Sequence, residues 1–308
     1  MAERTHQETT TTAEPALAGV FSDHEPAGLP ARRERDLRDY LPGIEPERQV
    51  NDWGRSERVE AFLDRTLVDF FYHYWFRVEV EGIENVPSTG GALLVSNHAG
   101  ALPPDAPVIA KAIKEEHPNP RSVHLTVEHF FKGYPGFAML LPKIGAVPAH
   151  PANVHRLLHD EGALVQVMPE GVKGTRKLYR DRYRLQRFGR GGFVEAAMRA
   201  GAPIVPIALL GAEEAAPIFA HMPIMQKLTG LIYFPITPTF PHLGLLGMLG
   251  FLPAKFRLRF LEPIPTNQWG AEPWLDKGLV QTVAAEVRAR IQDELIDLVA
   301  TRRSVWFG

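Results

Sequence analysis

Two short stretches of this chain carry residue types that can move a proton. In the first, Leu93-Leu94-Val95-Ser96-Asn97-His98-Ala99-Gly100-Ala101-Leu102-Pro103-Pro104-Asp105, an apolar run ends in an Asn-His pair, and a loop with Gly and Pro separates the His from an Asp. A His delivered by a strand end, with a carboxylate a short loop away, is the minimal equipment for deprotonating an alcohol. The imidazole takes the proton, and the carboxylate fixes its tautomer and stabilises the imidazolium that forms. In the second, an apolar run over residues 163–168 enters Pro169-Glu170-Gly171-Val172-Lys173-Gly174. From Val172 to Arg190 follow Lys173, Arg176, Lys177, Arg180, Arg182, Arg184, Arg187 and Arg190 against one acid, Asp181. So dense a positive segment beside a strand end suits an anionic substrate or an anionic membrane surface.

Each of these residues also has a plainer role open to it. A His at a strand end is often structural, Asp105 can cap a helix, and Glu170 can accept hydrogen bonds from its own loop. Asn97 can lock the loop, and the cations can pair with nearby acids on a solvated surface.

The elements that must position these residues follow from hydrophobic periodicity. Residues 92–96, 123–127, 144–147, 163–168, 204–210 and 256–261 read as strands, with a further alternating run at 76–80. Helical spacing covers 59–76, 106–116, 153–160, 192–200 and 283–300, the fourth closed by Gly201. Strands alternating with helices predict an α/β fold: a single-layer mixed, partly parallel sheet flanked by helices, preceded by an amphipathic aromatic helix. Residues 1–45, with the Thr9–Thr12 run and several prolines, read as a disordered tail, which leaves 46–308 as the folded domain.

Composition removes several function classes. The net charge of −2 argues against nucleic-acid binding, and the absence of cysteine excludes disulfides, thiolate metal sites and Cys nucleophiles. No serine has Gly at both flanking second positions, so a serine-hydrolase elbow is absent. His124…Glu128-His129 misses the inverted zinc spacing by one residue, and His155 with His159 lacks a partner ligand, so no metal is expected. The N-terminus has no signal-peptide core, and no apolar run is long enough to span a bilayer. The aromatic helix at 59–76 and the apolar stretch Leu231 to Leu252 are either core or elements resting on a membrane surface.

Asn97-His98…Asp105, Pro169-Glu170-Gly171 and Ala202-Pro203-Ile204-Val205-Pro206-Ile207, in that order, resemble the glycerolipid acyltransferases of the lysophosphatidate acyltransferase superfamily over roughly residues 75–265. The resemblance implies His98 as general base on an acceptor hydroxyl and Asp105 as its orienter. It also implies a turn at Glu170-Gly171 that helps to bind the acceptor, and a strand at Pro206 that shapes the site. With Asn97, Gly100, Lys173 and Arg176 nearby in sequence, the candidate substrate-binding set is Asn97, Gly100, Glu170, Gly171, Lys173, Arg176 and Pro206. Backbone N–H groups at Gly100-Ala101 or Gly171 are candidates for the oxyanion site.

No cofactor or metal is implied. The co-substrate is an acyl thioester on CoA or acyl-carrier protein, the acceptor is a glycerolipid, and the expected location is the cytoplasmic membrane face. Six residues separate His98 from Asp105 where the family usually has four, as in the branch related to diacylglycerol acyltransferases. Gly145-Ala146-Val147-Pro148-Ala149-His150-Pro151 lacks the family's phosphate-holding Arg, and Val172-Lys173 stands where Thr-Arg is usual. Lys keeps the charge but loses the bidentate fork, which favours a less charged acceptor. Two alternatives remain: an acyltransferase for a non-glyceride lipid alcohol, and a catalytically silent lipid-binding module.

Overall fold

The computed structural model describes residues 50–100, 104–129, 135–230 and 234–308, so the expected tail at 1–45 and Ala101 to Pro103 lie outside the described residues. Seven strands form the main sheet: β1 (Glu79–Glu81), β2 (Ala92–Ser96), β3 (Val123–Val127), β4 (Ala146–Pro148), β5 (Leu164–Val167), β6 (Ile204–Leu210) and β9 (Arg257–Phe260). Their spatial order is β1-β9-β6-β2-β5-β3-β4, and β7 (Ala220–His221) pairs separately with β8 (Pro235–Ile236). Every neighbouring pair in the main sheet is parallel except β6 with β9. The expected mixed, partly parallel sheet is therefore what forms, and β2, β5 and β6 end at one edge. That shared edge is where the two sequence motifs meet.

β2 and β6 are buried along their whole length, as expected for parallel strands covered on both faces. On one face, Leu93, Val95, Val165 and Ile204 pack with Val283, Val287, Ile291 and Leu295 of the Lys277–Thr301 helix. On the other, Leu94, Leu164, Val205 and Ile207 pack with Val108, Ile109, Ala112 and Ile113 of the Asp105–Glu116 helix. The C-terminal helix starts earlier than the apolar spacing predicts because Asp276 caps it, its Oδ1 accepting from Gly278 N–H at 2.8 Å and Leu279 N–H at 3.0 Å.

Other differences have local causes. The alternation at 76–80 yields a strand only from Glu79, because Arg77 takes a left-handed φ of 47° and turns the chain there. The aromatic segment is a helix, Glu57–Leu63, that continues through wide turns at Asp64–Val68 and Phe70–Trp75. It buries Tyr72 and Phe76 yet exposes Phe62, Leu67, Phe70 and Tyr74, so it is core on one side only. Two short helices, Pro135–Lys143 and Pro223–Thr229, fall where no periodicity was expected. Among the described residues, no helix is long and apolar enough to cross a membrane.

Ile291 is fully buried against the sheet. Ile291→Ala is expected to cost about 2–5 kcal/mol of stability, read from the shift of the urea unfolding midpoint at unchanged slope.

Candidate active site

His98 stands two residues beyond β2, and Glu170 stands three beyond the neighbouring β5, where Val95 is in register with Val167. The strand pairing thus places both motifs side by side. The Glu170 side chain then fixes them: Oε1 accepts His98 N–H at 3.0 Å, and Oε2 accepts Gln186 N–H at 2.6 Å. Glu170 is 3% exposed. Its carboxylate holds the backbone of His98 and the far limb of the basic segment.

The His98 ring is oriented by Asp105. Nδ1 lies 2.8 Å from Asp105 Oδ2, which also accepts Ala99 N–H at 3.2 Å, while Oδ1 accepts Ala106 N–H at 2.8 Å. Asp105 is the first residue of the Asp105–Glu116 helix and is 1% exposed, with Pro104 at the cap position. The helix dipole favours a carboxylate there. With an ionised Asp105, Nδ1–H is the donor and Nε2 is the nitrogen left to take a proton. The His98 side chain keeps 18% of its surface exposed, enough to be reached.

The remaining predicted residues divide between scaffold and rim. Asn97 spends its amide on β6: Nδ2 donates to Leu209 O and Oδ1 accepts Leu209 N–H, both at 2.9 Å. It locks the His loop to the sheet. Pro206 is buried in mid-strand opposite Val95 and acts from within the sheet. Gly171 takes φ 53°, ψ −146°, a conformation open essentially to glycine alone, and so makes the sharp turn after Glu170. Gly100 packs against the turn after β6, where an added Cβ would stand 3.2 Å from Ala212 O. Lys173 and Arg176 are exposed, in and at the end of the short helix Val172–Thr175.

The sequence reading missed four participants. Gly174 lies so close to His98 that a Cβ there would sit 2.6 Å from His98 O and 2.9 Å from Glu170 Cβ. Lys177, counted among the cations suited to an anionic substrate or membrane, is buried instead. Its ammonium lies 2.7 Å from Glu213 Oε1 and 3.7 Å from Glu170 Oε2, with 4% of the side chain exposed. Gln186 supplies the second N–H to Glu170, and Glu213 receives both Lys177 and Tyr183 N–H. Burial pushes the Glu213 carboxyl up even though Lys177 pulls it down. Beside it, Glu214 pairs with Arg302 at 2.6 Å and with Tyr183, whose hydroxyl burial pushes up to about 12. Only the Gly following so soon after Glu170-Gly171 was a signal in the sequence; a buried Lys within a run of arginines is not distinguishable by pattern.

As to metals, Asp69, His73 and Glu115 converge, but the Lys111 ammonium is already bound there, 3.1 Å from Asp69 and 3.0 Å from Glu115.

Gly174→Ala is expected to cost about 1–3 kcal/mol through overpacking and to shift the imidazole NMR signals of His98. Gly192→Ala, at a helix start with nothing within 4 Å of the added Cβ, is the control and is expected to be neutral or mildly stabilising.

Comparisons with known proteins bear on the family and the fold. A family profile described as Acyltransferase matches residues 77–210. An uncharacterized protein of Mycobacterium tuberculosis is 42% identical over 272 residues, 88% of this chain and 75% of the relative. A Gallus gallus protein described as a DGAT1/2-independent enzyme synthesizing storage lipids is 30% identical over 62% of this chain, which matches 53% of that protein. The crystal structure of the 1-acyl-sn-glycerophosphate (LPA) acyltransferase PlsC from Thermotoga maritima shares the fold, with a TM-score of 0.52 and 18% identity over 87% of this chain and 88% of that one. The matched segment, on this fold, makes the chain an acyltransferase.

Proposed function

We propose that this protein moves a fatty acyl group from a thioester to a glycerolipid hydroxyl, with His98 as general base and Asp105 as its orienter. The observation that carries the reading is the 2.8 Å contact between His98 Nδ1 and a buried Asp105 carboxylate, on a His whose backbone is itself held by Glu170. In the forward step the acceptor O–H gives its proton to His98 Nε2 while the oxygen attacks the thioester carbonyl. Asp105 stabilises the imidazolium, and the tetrahedral oxyanion needs N–H donors from the loop carrying Gly100 or from the Gly171 turn. Collapse of the intermediate forms the ester and breaks the C–S bond. The departing thiolate takes the proton back from His98, so the enzyme returns to its starting state with a free thiol as co-product.

The donor is an acyl group on CoA or acyl-carrier protein. A recess of about 430 Å³ lies between the basic segment and the Lys277–Thr301 helix, lined by Arg180, Arg182, Arg184, Tyr183, Gln292 and Ile296 among others. It supports a phosphate-bearing carrier with an apolar portion. The acceptor is a weakly charged glyceride: no Arg occurs in Gly145 to Pro151, and Lys173, exposed, offers a point charge alone. The protein works at the cytoplasmic membrane face, where both substrates reside, and needs no metal or cofactor.

The test offers a labelled long-chain acyl-CoA with monoacylglycerol, diacylglycerol and lysophosphatidate in parallel. Product from a neutral glyceride is expected, falling roughly 10²–10⁴-fold in His98→Ala. Asp105→Asn is expected to fall similarly, with little change in the acceptor KM. Product from lysophosphatidate alone overturns the acceptor assignment, and unchanged transfer by His98→Ala overturns the mechanism.

A further inference from the structure

Between β6 and β9 the chain makes an excursion that starts at the sheet edge holding His98. It has a packed interior. Phe234 and Phe240 are buried with ring centroids 4.7 Å apart, and Ile218 is buried with them in the fold. Thr239 Oγ1 donates to Gly247 O at 2.7 Å, and Gly247 sits so close to Thr239 O that a Cβ would approach it to 2.3 Å. Yet its described residues turn large apolar side chains outward. Ile224 is 80% exposed, Leu228 77%, Leu246 78% and Leu243 65%, with Phe219 and Met222 exposed beside them. Ile224 and Leu228 are four residues apart on the Pro223–Thr229 helix and share one face. Soluble surfaces rarely display such a concentration of aliphatic side chains without a partner.

Charge identifies the partner. No Asp or Glu occurs between Glu214 and Glu262, while Lys227 lies exposed on the same helix as Ile224. The basic segment is fastened to the excursion: Tyr179 N–H donates to Ile218 O at 2.8 Å, the Tyr179 and Phe219 rings meet edge to face at 6.0 Å, and His221 Nε2 contacts Arg176 O at 2.8 Å. Lys173, Arg176, Arg184, Arg187 and Arg190 are exposed on that segment and make no ion pair among the described residues. Apolar side chains, no carboxylates and a neighbouring row of unpaired cations are the complement of an anionic bilayer surface.

We infer that the surface bearing Phe219, Met222, Ile224, Leu228, Leu243 and Leu246 is a membrane-inserting element that seats the His98 edge of the sheet on an anionic lipid bilayer, with Ile224 and Leu228 as its anchors. This rests on the lipid-substrate reading above for its purpose, but its measurement is independent of turnover. A lipid acceptor could then reach His98 while its chains stay in the membrane.

The test is co-sedimentation of the full chain with vesicles of phosphatidylcholine alone and of phosphatidylcholine with phosphatidylglycerol. Wild type is expected to prefer the anionic vesicles. The double variant Ile224→Glu/Leu228→Glu is expected to bind them at least roughly tenfold more weakly, and Leu243→Glu/Leu246→Glu to do the same. Both pairs are exposed, and unchanged circular dichroism and melting verify the fold. Transfer to a water-soluble short-chain acceptor is expected to be unchanged in these variants, while transfer to a vesicle-embedded acceptor falls. Vesicle binding that the variants abolish supports the inference even if no acyl transfer is found with any acceptor, in which case the enzymatic reading alone falls. Vesicle binding equal to wild type in both variants overturns it. So does a wild-type dimer in light scattering that the variants split, because the surface then belongs to a second copy.

Discussion

One buried carboxylate holds this site together. Glu170 receives a backbone N–H from the His loop through one oxygen and a backbone N–H from the basic segment through the other, with the Lys177 ammonium alongside. Three stretches that the sheet alone would leave loosely related are thereby tied at one point. An ionised carboxylate can accept both bonds; a protonated one would have to use one oxygen as a donor and would lose a partner. Lys177 supplies the positive charge that makes a buried carboxylate tolerable, and Glu213 supplies the second acid that makes a buried lysine tolerable. Breaking such a group by removing one member leaves an unpaired buried charge, which is far worse than never having had the group.

This changes what the Glu-Gly turn means here. Both oxygens of Glu170 are engaged by the protein itself, so its effect on substrate runs through the placement of His98 and of the basic segment. Gly171 and Gly174 belong to the same arrangement: the first permits the turn, the second the close approach to His98. Asp105 then needs only to orient a ring whose backbone is already fixed. The site is thus built in two stages, backbone first and imidazole second, by two carboxylates with separate tasks.

Most of the sheet was legible in the sequence because its inner strands are short apolar runs bounded by turn residues, as in Ala92 to Ser96 and Ile204 to Leu210. The contact between His98 and Asp105 was legible because a His at a strand end with a carboxylate a short loop away can close on it. The rest was hidden for physical reasons. Lys177 has the composition of a solvated cation and acquires its role only when Glu170 and Glu213 close over it. Asn97 reads as a lock for its loop, and tertiary structure supplies what the sequence could not, the partner Leu209. The Pro223–Thr229 helix was missed because the periodicity that marks a helix is normally written by a buried face, and this one leaves none of its residues buried.

The sheet order has a consequence for how the protein comes into being. Among the described residues β1 is the first strand and β9 the last, and the two are neighbours. A chain emerging from the ribosome can pair β2, β5 and β6 as they appear, but β1 must wait until residues 257–260 have been made. Phe76, at the end of the aromatic segment that precedes β1, waits with it, since it stacks on Phe256 at 4.1 Å. For most of synthesis, then, Phe76 lacks the ring that stacks on it in the finished fold. The nascent chain spends that interval with an aromatic surface at Phe76 that only the last strand covers.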